Sequence, residues 1–172
     1  VSGSHLSMKN RLAEIELVIF DADGVLTDGS IWLGDDGREM LRFNVLDGYG
    51  IFRGYRAGLT YAIITGRTSE ALLIRANRLQ IERVYRGQTI KQAAFDELVT
   101  ESGLHPRQMA FVGDDLNDLP IMRQVGVSCA VANARDEVRA EADIVTAARG
   151  GEGAVREFLE MIIAAKGGVP TP

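Results

Sequence analysis

"LVIFDADGVLTDGS", residues 17–30, runs four apolar residues into Asp21 and sets a second carboxylate, Asp23, two positions on, with Gly24 directly behind. In extended chain that spacing turns both aspartates to one side while Ala22 points away. Two carboxylates so placed repel each other, and their pKa values rise unless a cation or hydrogen-bond donors intervene. The stretch therefore reads as a buried strand opening into a polar, glycine-permitted loop.

The same arrangement recurs along the chain. Apolar runs of strand length at 17–21, 59–65, 83–86, 109–113, 127–131 and 143–146 alternate with helical spacing near 47–57, 69–80, 89–102, 117–125 and 134–141, and "GAVREFLEMIIAAK" adds a final helix. This alternation predicts an α/β fold: a doubly wound, Rossmann-like, mostly parallel sheet with helices on both faces. One insertion interrupts it. "SIWLGDDGREMLRFNV", residues 30–45, has two strand-like arms about Asp36-Gly37, a dipeptide suited to a left-handed hairpin turn, so a β-hairpin flap is expected beside the first strand. At 172 residues the chain suits one compact domain with a full core. Residues 8–166 are expected to form it, with "VSGSHLS" (1–7) a remnant of expression cloning and "GGVPTP" (167–172) a flexible tail.

Composition narrows the partners. A formal net charge of -5 supplies no basic footprint, so no nucleic-acid partner is expected. Cys129 is the single cysteine, which rules out an intramolecular disulfide, and its setting "VSCAV" reads as an inert buried strand. No run approaches the roughly 18 apolar residues of a membrane span, and no charged-then-apolar leader stands ahead of the first strand, so a cytoplasmic location without membrane contact is expected. With residues 1–7 set aside, His105 is the remaining histidine, too few for histidine-based triads or metal clusters.

In an open parallel sheet, ligands bind beyond the carboxyl ends of the strands. The residues there are Asp21 and Asp23 after the first run, Thr65 after the second, Lys91 opening the helix after the third, and Asp114, Asp115 and Asp118 after the fourth. Carboxylates crowded on one rim raise one another's pKa values unless a cation intervenes; a bound divalent ion is the economical resolution, and oxygen ligands without histidine or thiol suit Mg²⁺. Lys91, the Thr65 hydroxyl and the backbone N–H groups near Gly24 and Gly66 supply donors for a phosphoryl group. Metal, phosphate and a carboxylate nucleophile together indicate phosphate-monoester hydrolysis through an aspartyl phosphate. Taken singly, aspartates beside glycines, such as Asp28 and Asp47, read as turn formers.

"DADGVLTDG", "IITGR", "GQTIK" and "GDDLND" resemble, in order and at fitting separations, the four motifs of the haloacid-dehalogenase-like phosphohydrolase superfamily, over nearly all of residues 10–165. The resemblance implies that Asp21 is the nucleophile and Asp23 the general acid and base. It also implies that Mg²⁺ is held by Asp21, Asp114 and the backbone carbonyl of Asp23, with Asp115 and Asp118 in its outer sphere, while Thr65 and Lys91 hold the phosphoryl oxygens. Only 36 residues separate Asp28 from Thr65 and 25 separate Thr65 from Lys91, too few for the cap domain that many members carry.

"FNVLDGYGI" and "RGGEGAVREF" are similar to a capless, homotetrameric branch of the superfamily acting on a small phosphorylated sugar acid. In that branch neighbouring subunits close each site, which would explain Gly150, Gly151 and Gly153 and make Arg149 a contact across subunits. The branch further implies substrate contacts from Gly66 and Arg67, with arginine at 67 favouring an eight-carbon acid and glutamate a nine-carbon one. Arg75 and Arg78 would add cations for the sugar carboxylate, a solvated helix face being their alternative reading. The chain departs from the usual pattern at Leu46, commonly arginine, and at Gln80, commonly glycine.

Two non-enzymatic readings compete. A signalling receiver module also joins acidic residues, Mg²⁺, threonine and lysine, but its phosphorylated aspartate follows the third strand, where this chain has "YRGQ". A scaffold that has lost activity is the other, although every expected group is present.

Overall fold

The computed structural model describes residues 7–169. Of the expected cloning remnant only Ser7 lies within them, and its hydroxyl accepts the Asn10 N–H at 3.3 Å to cap helix α1 (Met8–Ala13). Of the expected flexible tail, residues 170–172 lie outside.

Strand β1 (Leu17–Phe20) is buried at every position, as a strand covered on both faces must be. The hairpin follows as β2 (Trp32–Leu33) and β3 (Glu39–Met40), then α2 (Val45–Arg56), β4 (Thr60–Ile64), α3 (Glu70–Arg78) and β5 (Arg83–Tyr85). Helix α4 (Gln92–Ser102), β6 (Met109–Gly113), α5 (Leu119–Met122), β7 (Val127–Ala130), α6 (Asp136–Glu141), β8 (Ile144–Val145) and α7 (Ala154–Ala165) complete the order. The main sheet runs β5-β4-β1-β6-β7-β8, and every pairing in it is parallel. From β1 the chain first winds outward through β4 and β5, then returns to β6 and winds the other way. With right-handed crossovers this sets α2 and α7, which pack on each other, on one face and α4 and α5 on the other. The reversal lies between β1 and the strands beside it, where such sheets open a crevice.

The helix after β6 is shorter than its apolar spacing suggests: Leu116–Asp118 forms a 3₁₀ turn before α5, with Pro120 in the first turn of α5. In the hairpin, Trp32 faces Met40 and Leu33 faces Glu39 across an antiparallel pair. Its turn differs from the expected one. Gly37 N–H donates to Gly34 at 2.9 Å and Gly34 N–H to Arg38 at 2.9 Å, and only Gly37 is left-handed, at φ 78°. This is a type I turn closed by a bulge glycine, so Asp36 keeps an ordinary conformation and its carboxylate accepts the Arg38 N–H. Among the described residues no cap domain interrupts the element order.

Asp47 is more than a turn former. It is buried on α2, and its Oδ1 accepts the Arg156 N–H at 3.1 Å, so one helix satisfies the amino end of another. Gly50 permits that approach, because a Cβ there would stand 2.8 Å from the Arg156 Cα.

Candidate active site

The loop after β1 is held open by its own polar groups. Asp21 N–H still donates to Val112 at 3.0 Å, continuing the sheet, after which Ala22–Leu26 form a wide turn closed by Thr27 N–H on the Ala22 carbonyl at 3.1 Å. Thr27, fully buried, accepts the Gly24 N–H at 3.3 Å and the Gly29 N–H at 3.2 Å on its hydroxyl. Gly24 is required twice over. Its φ is 78°, and a Cβ would fall 2.0 Å from an Asp114 carboxylate oxygen. Asn133 ties this loop down by donating to the Gly24 carbonyl at 3.0 Å while accepting the Gly150 N–H at 2.6 Å.

The glycine-rich segment therefore has a reason within its own chain. A Cβ on Gly150 would lie 1.7 Å from the Gly24 carbonyl oxygen, and Gly151 N–H donates to Val25 at 2.9 Å. Close packing on the Asp21 loop requires glycine at 150 and 151.

Lys91, only 2% exposed, sits at the start of α4 with Nζ 2.8 Å from Asp21 Oδ1 and 2.7 Å from Asp118 Oδ1. Burial works against its charge, but Asp21 and Asp118 outweigh burial and hold the ammonium ionised. Asp118 is wholly committed: its other oxygen accepts the Asp114 N–H at 2.9 Å and the Asp115 N–H at 3.3 Å. It orders the "GDDLND" loop and leaves Asp114 facing Asp21. Thr65 is buried at the end of β4, where its hydroxyl accepts the Arg67 N–H at 3.3 Å. Asp115 is exposed, and its carboxylate accepts the Leu116 N–H at 2.7 Å.

Electrostatics set this rim apart. Burial pushes Asp21 up to about 6, with Lys91 opposing and Asp118 adding to the rise. Asp114 is pushed up to about 8, first by burial and then by the charges of Asp21, Asp118 and Asp115. Oxygens of Asp21, Asp114 and Asp118 lie within 4.8 Å of one another, and among the described residues no hydrogen bond relieves the Asp114 carboxylate. Since both Asp118 oxygens are engaged, Asp21 and Asp114 are the carboxylates left for a cation. Crowded, under-neutralised oxygen donors fit Mg²⁺.

Asp23 is half-buried beside them, its Oδ2 3.3 Å from Arg67 Nε. Burial raises its pKa and Arg67 partly offsets the rise. Arg67 also forms an ion pair with Glu39 of the hairpin, a contact for which the sequence offered no signal. A cavity of about 310 Å³ is lined by Asp21, Asp23, Thr65, Gly66, Arg67 and Asp114, among others.

Two expected site residues lie elsewhere. Arg75 donates to the Asn44 carbonyl at 3.0 Å and stacks over the Phe43 ring, tying α3 to the start of α2. Arg78 lines a different groove, with Phe52 and Tyr55. The i, i+3 spacing reported a shared helix face correctly, but that face looks toward α2 rather than toward the strand ends.

A parallel sheet that gathers an Asp-x-Asp loop, a threonine, a buried lysine and a paired-aspartate loop at one crevice defines a class of hydrolase. The description "haloacid dehalogenase-like hydrolase" matches residues 60–159, and the chain belongs to that family. It is 46% identical over 156 residues to the 3-deoxy-D-manno-octulosonate 8-phosphate phosphatase of Yersinia pestis, covering 91% of this chain and 83% of that one. The crystal structure of a Yersinia pestis protein of that name superposes with a TM-score of 0.91 at 45% identity, over 92% of this chain and 86% of the other. The Moraxella catarrhalis phosphatase of the same name, solved with magnesium, phosphate and its sugar acid, gives a TM-score of 0.90 at 37% identity, over 92% and 91% of the two chains.

Proposed function

We propose that this chain is a Mg²⁺-dependent phosphomonoesterase that hydrolyses 3-deoxy-D-manno-octulosonate 8-phosphate to the free sugar acid and phosphate, a step serving lipopolysaccharide synthesis in the cytoplasm. The observation that carries the chemistry is the meeting of Asp21, Asp114 and Lys91 at one buried point. The relatives' names and the arginine at position 67 support the substrate.

Lys91 and Ala22 N–H both bond Asp21 Oδ1, which fixes the carboxylate against the cavity. From there an Asp21 oxygen attacks phosphorus, the bond from phosphorus to the sugar oxygen breaks, and the leaving alkoxide takes its proton from Asp23. The Asp23 carboxylate then takes a proton from water, whose oxygen attacks the aspartyl phosphate and releases inorganic phosphate with Asp21 restored. Burial favours the protonated form of Asp23 that the first step needs, and Arg67 favours the ionised form that the second needs. Thr65, Lys91 and the Gly66 backbone hold phosphoryl oxygens, while Asp115 and Asp118 order the metal loop. Mg²⁺ would be held by Asp21, Asp114 and the Asp23 carbonyl, and would supply charge neutralisation of the phosphoryl group.

The finer part of the reading is a homotetramer whose neighbouring subunits close the site. An open cavity, an element order with no cap among the described residues, and exposed Trp32 (62%), Leu33 (73%) and Phe52 (51%) on the hairpin and α2 support it.

Phosphate release with and without Mg²⁺ tests the function, using the eight-carbon substrate, a nine-carbon keto-acid 9-phosphate and a neutral sugar phosphate. The highest kcat/KM is expected for the first. Preference for either of the others overturns the substrate, and absence of Mg²⁺-dependent release from all three overturns the activity.

A further inference from the structure

Beyond the catalytic cavity, past Arg67, lies a second one of about 670 Å³ lined by Arg38, Glu39, Thr68, Ser69, Glu70 and Ile74, among others. Gly66 and Arg67 line both, so the Arg67 guanidinium stands at their junction. It is held from two sides, with Nε toward Asp23 at 3.3 Å and Nη2 on Glu39 Oε2. Each partner engages only part of the fork. Glu39 Oε1 and Arg67 Nε are both buried without a hydrogen bond, so the pair keeps unspent polar capacity at the junction.

Glu39 is the register partner of Leu33 in the hairpin, and the hairpin is anchored at its base by Arg42, which bonds Asp28 at 3.0 Å. A carboxylate on this arm draws Nη2 away from Asp23. Without it, the planar fork is free to close bidentately on Asp23, because two parallel N–H bonds to one carboxylate are its preferred pairing.

We propose that Glu39 is a positioning residue: from the hairpin it holds the Arg67 guanidinium at the junction of the two cavities, where Arg67 receives the carboxylate of a sugar-acid phosphate. This rests on the substrate reading above and adds a residue to it. Phosphate occupies the inner cavity, the sugar extends outward, and the distal carboxylate meets a guanidinium whose orientation is already set. Pre-set orientation lowers the cost of binding, so its loss appears mainly in KM.

The experiment compares wild type, Glu39→Ala, Glu39→Gln, Arg67→Ala and the Glu39→Ala/Arg67→Ala double variant on the eight-carbon acid phosphate and a neutral sugar phosphate. Glu39→Ala is expected to raise KM for the acid by on the order of tenfold, with a loss several-fold smaller for the neutral substrate. Glu39→Gln keeps an oxygen acceptor for Nη2 and is expected to restore most of that KM. In the Arg67→Ala background the effect of Glu39→Ala is expected to disappear. An equal loss on both substrates, no loss on either, or an undiminished effect of Glu39→Ala without Arg67 overturns the proposal. Wild-type preference for the neutral substrate would instead overturn the substrate reading, and the coupling between positions 39 and 67 would still decide whether Glu39 acts through Arg67.

Discussion

The carboxyl-end rim of the sheet and the outer surface of the hairpin and α2 break opposite rules. The rim buries charge: Asp21, Lys91 and Asp118 are all inside, and Asp114 is crowded against them. The hairpin and α2 do the reverse, leaving Trp32, Leu33, Met40, Val45 and Phe52 exposed. Elsewhere the molecule is ordinary, with a core of Leu, Ile, Val and Phe over the sheet. Unrelieved charge inside calls for small charged ligands, and unrelieved apolar surface outside calls for protein. The two departures are complementary under the proposed assembly, in which the acidic rim holds the chemistry and the apolar surface of a neighbouring subunit covers it.

The largest expected effect comes from the inner region. Asp21→Asn should lower kcat by roughly 10³-fold or more while the folded protein persists, since the proposed nucleophile is lost and the packing is kept. Appreciable residual turnover would remove Asp21 from that role. Next is the stability of metal-stripped protein. With Asp21 at about 6 and Asp114 at about 8, both raised chiefly by burial, the folded state holds more protons than the unfolded chain. The stability these groups contribute is therefore full below the unfolded carboxylate value near 3.8 and is lost as pH rises through 6 and 8. In chelator, Tm should fall across that window, and the gain in Tm on adding Mg²⁺ should grow with pH. A Tm that is flat in chelator would show that the rim carries no such charge conflict.

The outer region gives a smaller effect. If the proposed assembly buries Phe52, which is 51% exposed in the single chain, Phe52→Asp should shift sedimentation toward monomer, because removing an interface aromatic costs on the order of 2 kcal/mol. Unchanged mass at every concentration would detach the apolar surface from assembly. The smallest effect lies at the amino ends of the strands. Gln80 is left-handed at φ 59°, just past the end of α3, a conformation that glycine adopts without strain. Gln80→Gly should raise stability by about 1 kcal/mol without altering kcat/KM, measured by denaturant unfolding.

β1, β4, β6 and β7 are legible in the sequence to within a residue or two, because strands buried on both faces must be continuously apolar. Helix α1 is not, since six residues around a single buried leucine carry little period. Among site residues, those lying just after apolar runs were legible because strand ends share one rim. Arg75 and Arg78 were not, because helix spacing shows which residues share a face and says nothing of what the face meets. Glu39 and Asn133 lay hidden for a related reason: each acts through a partner at least 28 residues away.

By itself, then, the sequence determined the alternation of strand and helix, the family and the acidic rim, all of which rest on local order and on residues at strand ends. Only the tertiary structure decided that Asp118 spends both oxygens on Lys91 and the loop backbone, leaving Asp114 to face Asp21, and that Gly150 and Gly151 are required by the loop they cover. It also decided that Arg67 is shared between Asp23 and Glu39. Those outcomes depend on which distant segments the sheet order brings into contact, and burial then fixes the charge each group carries.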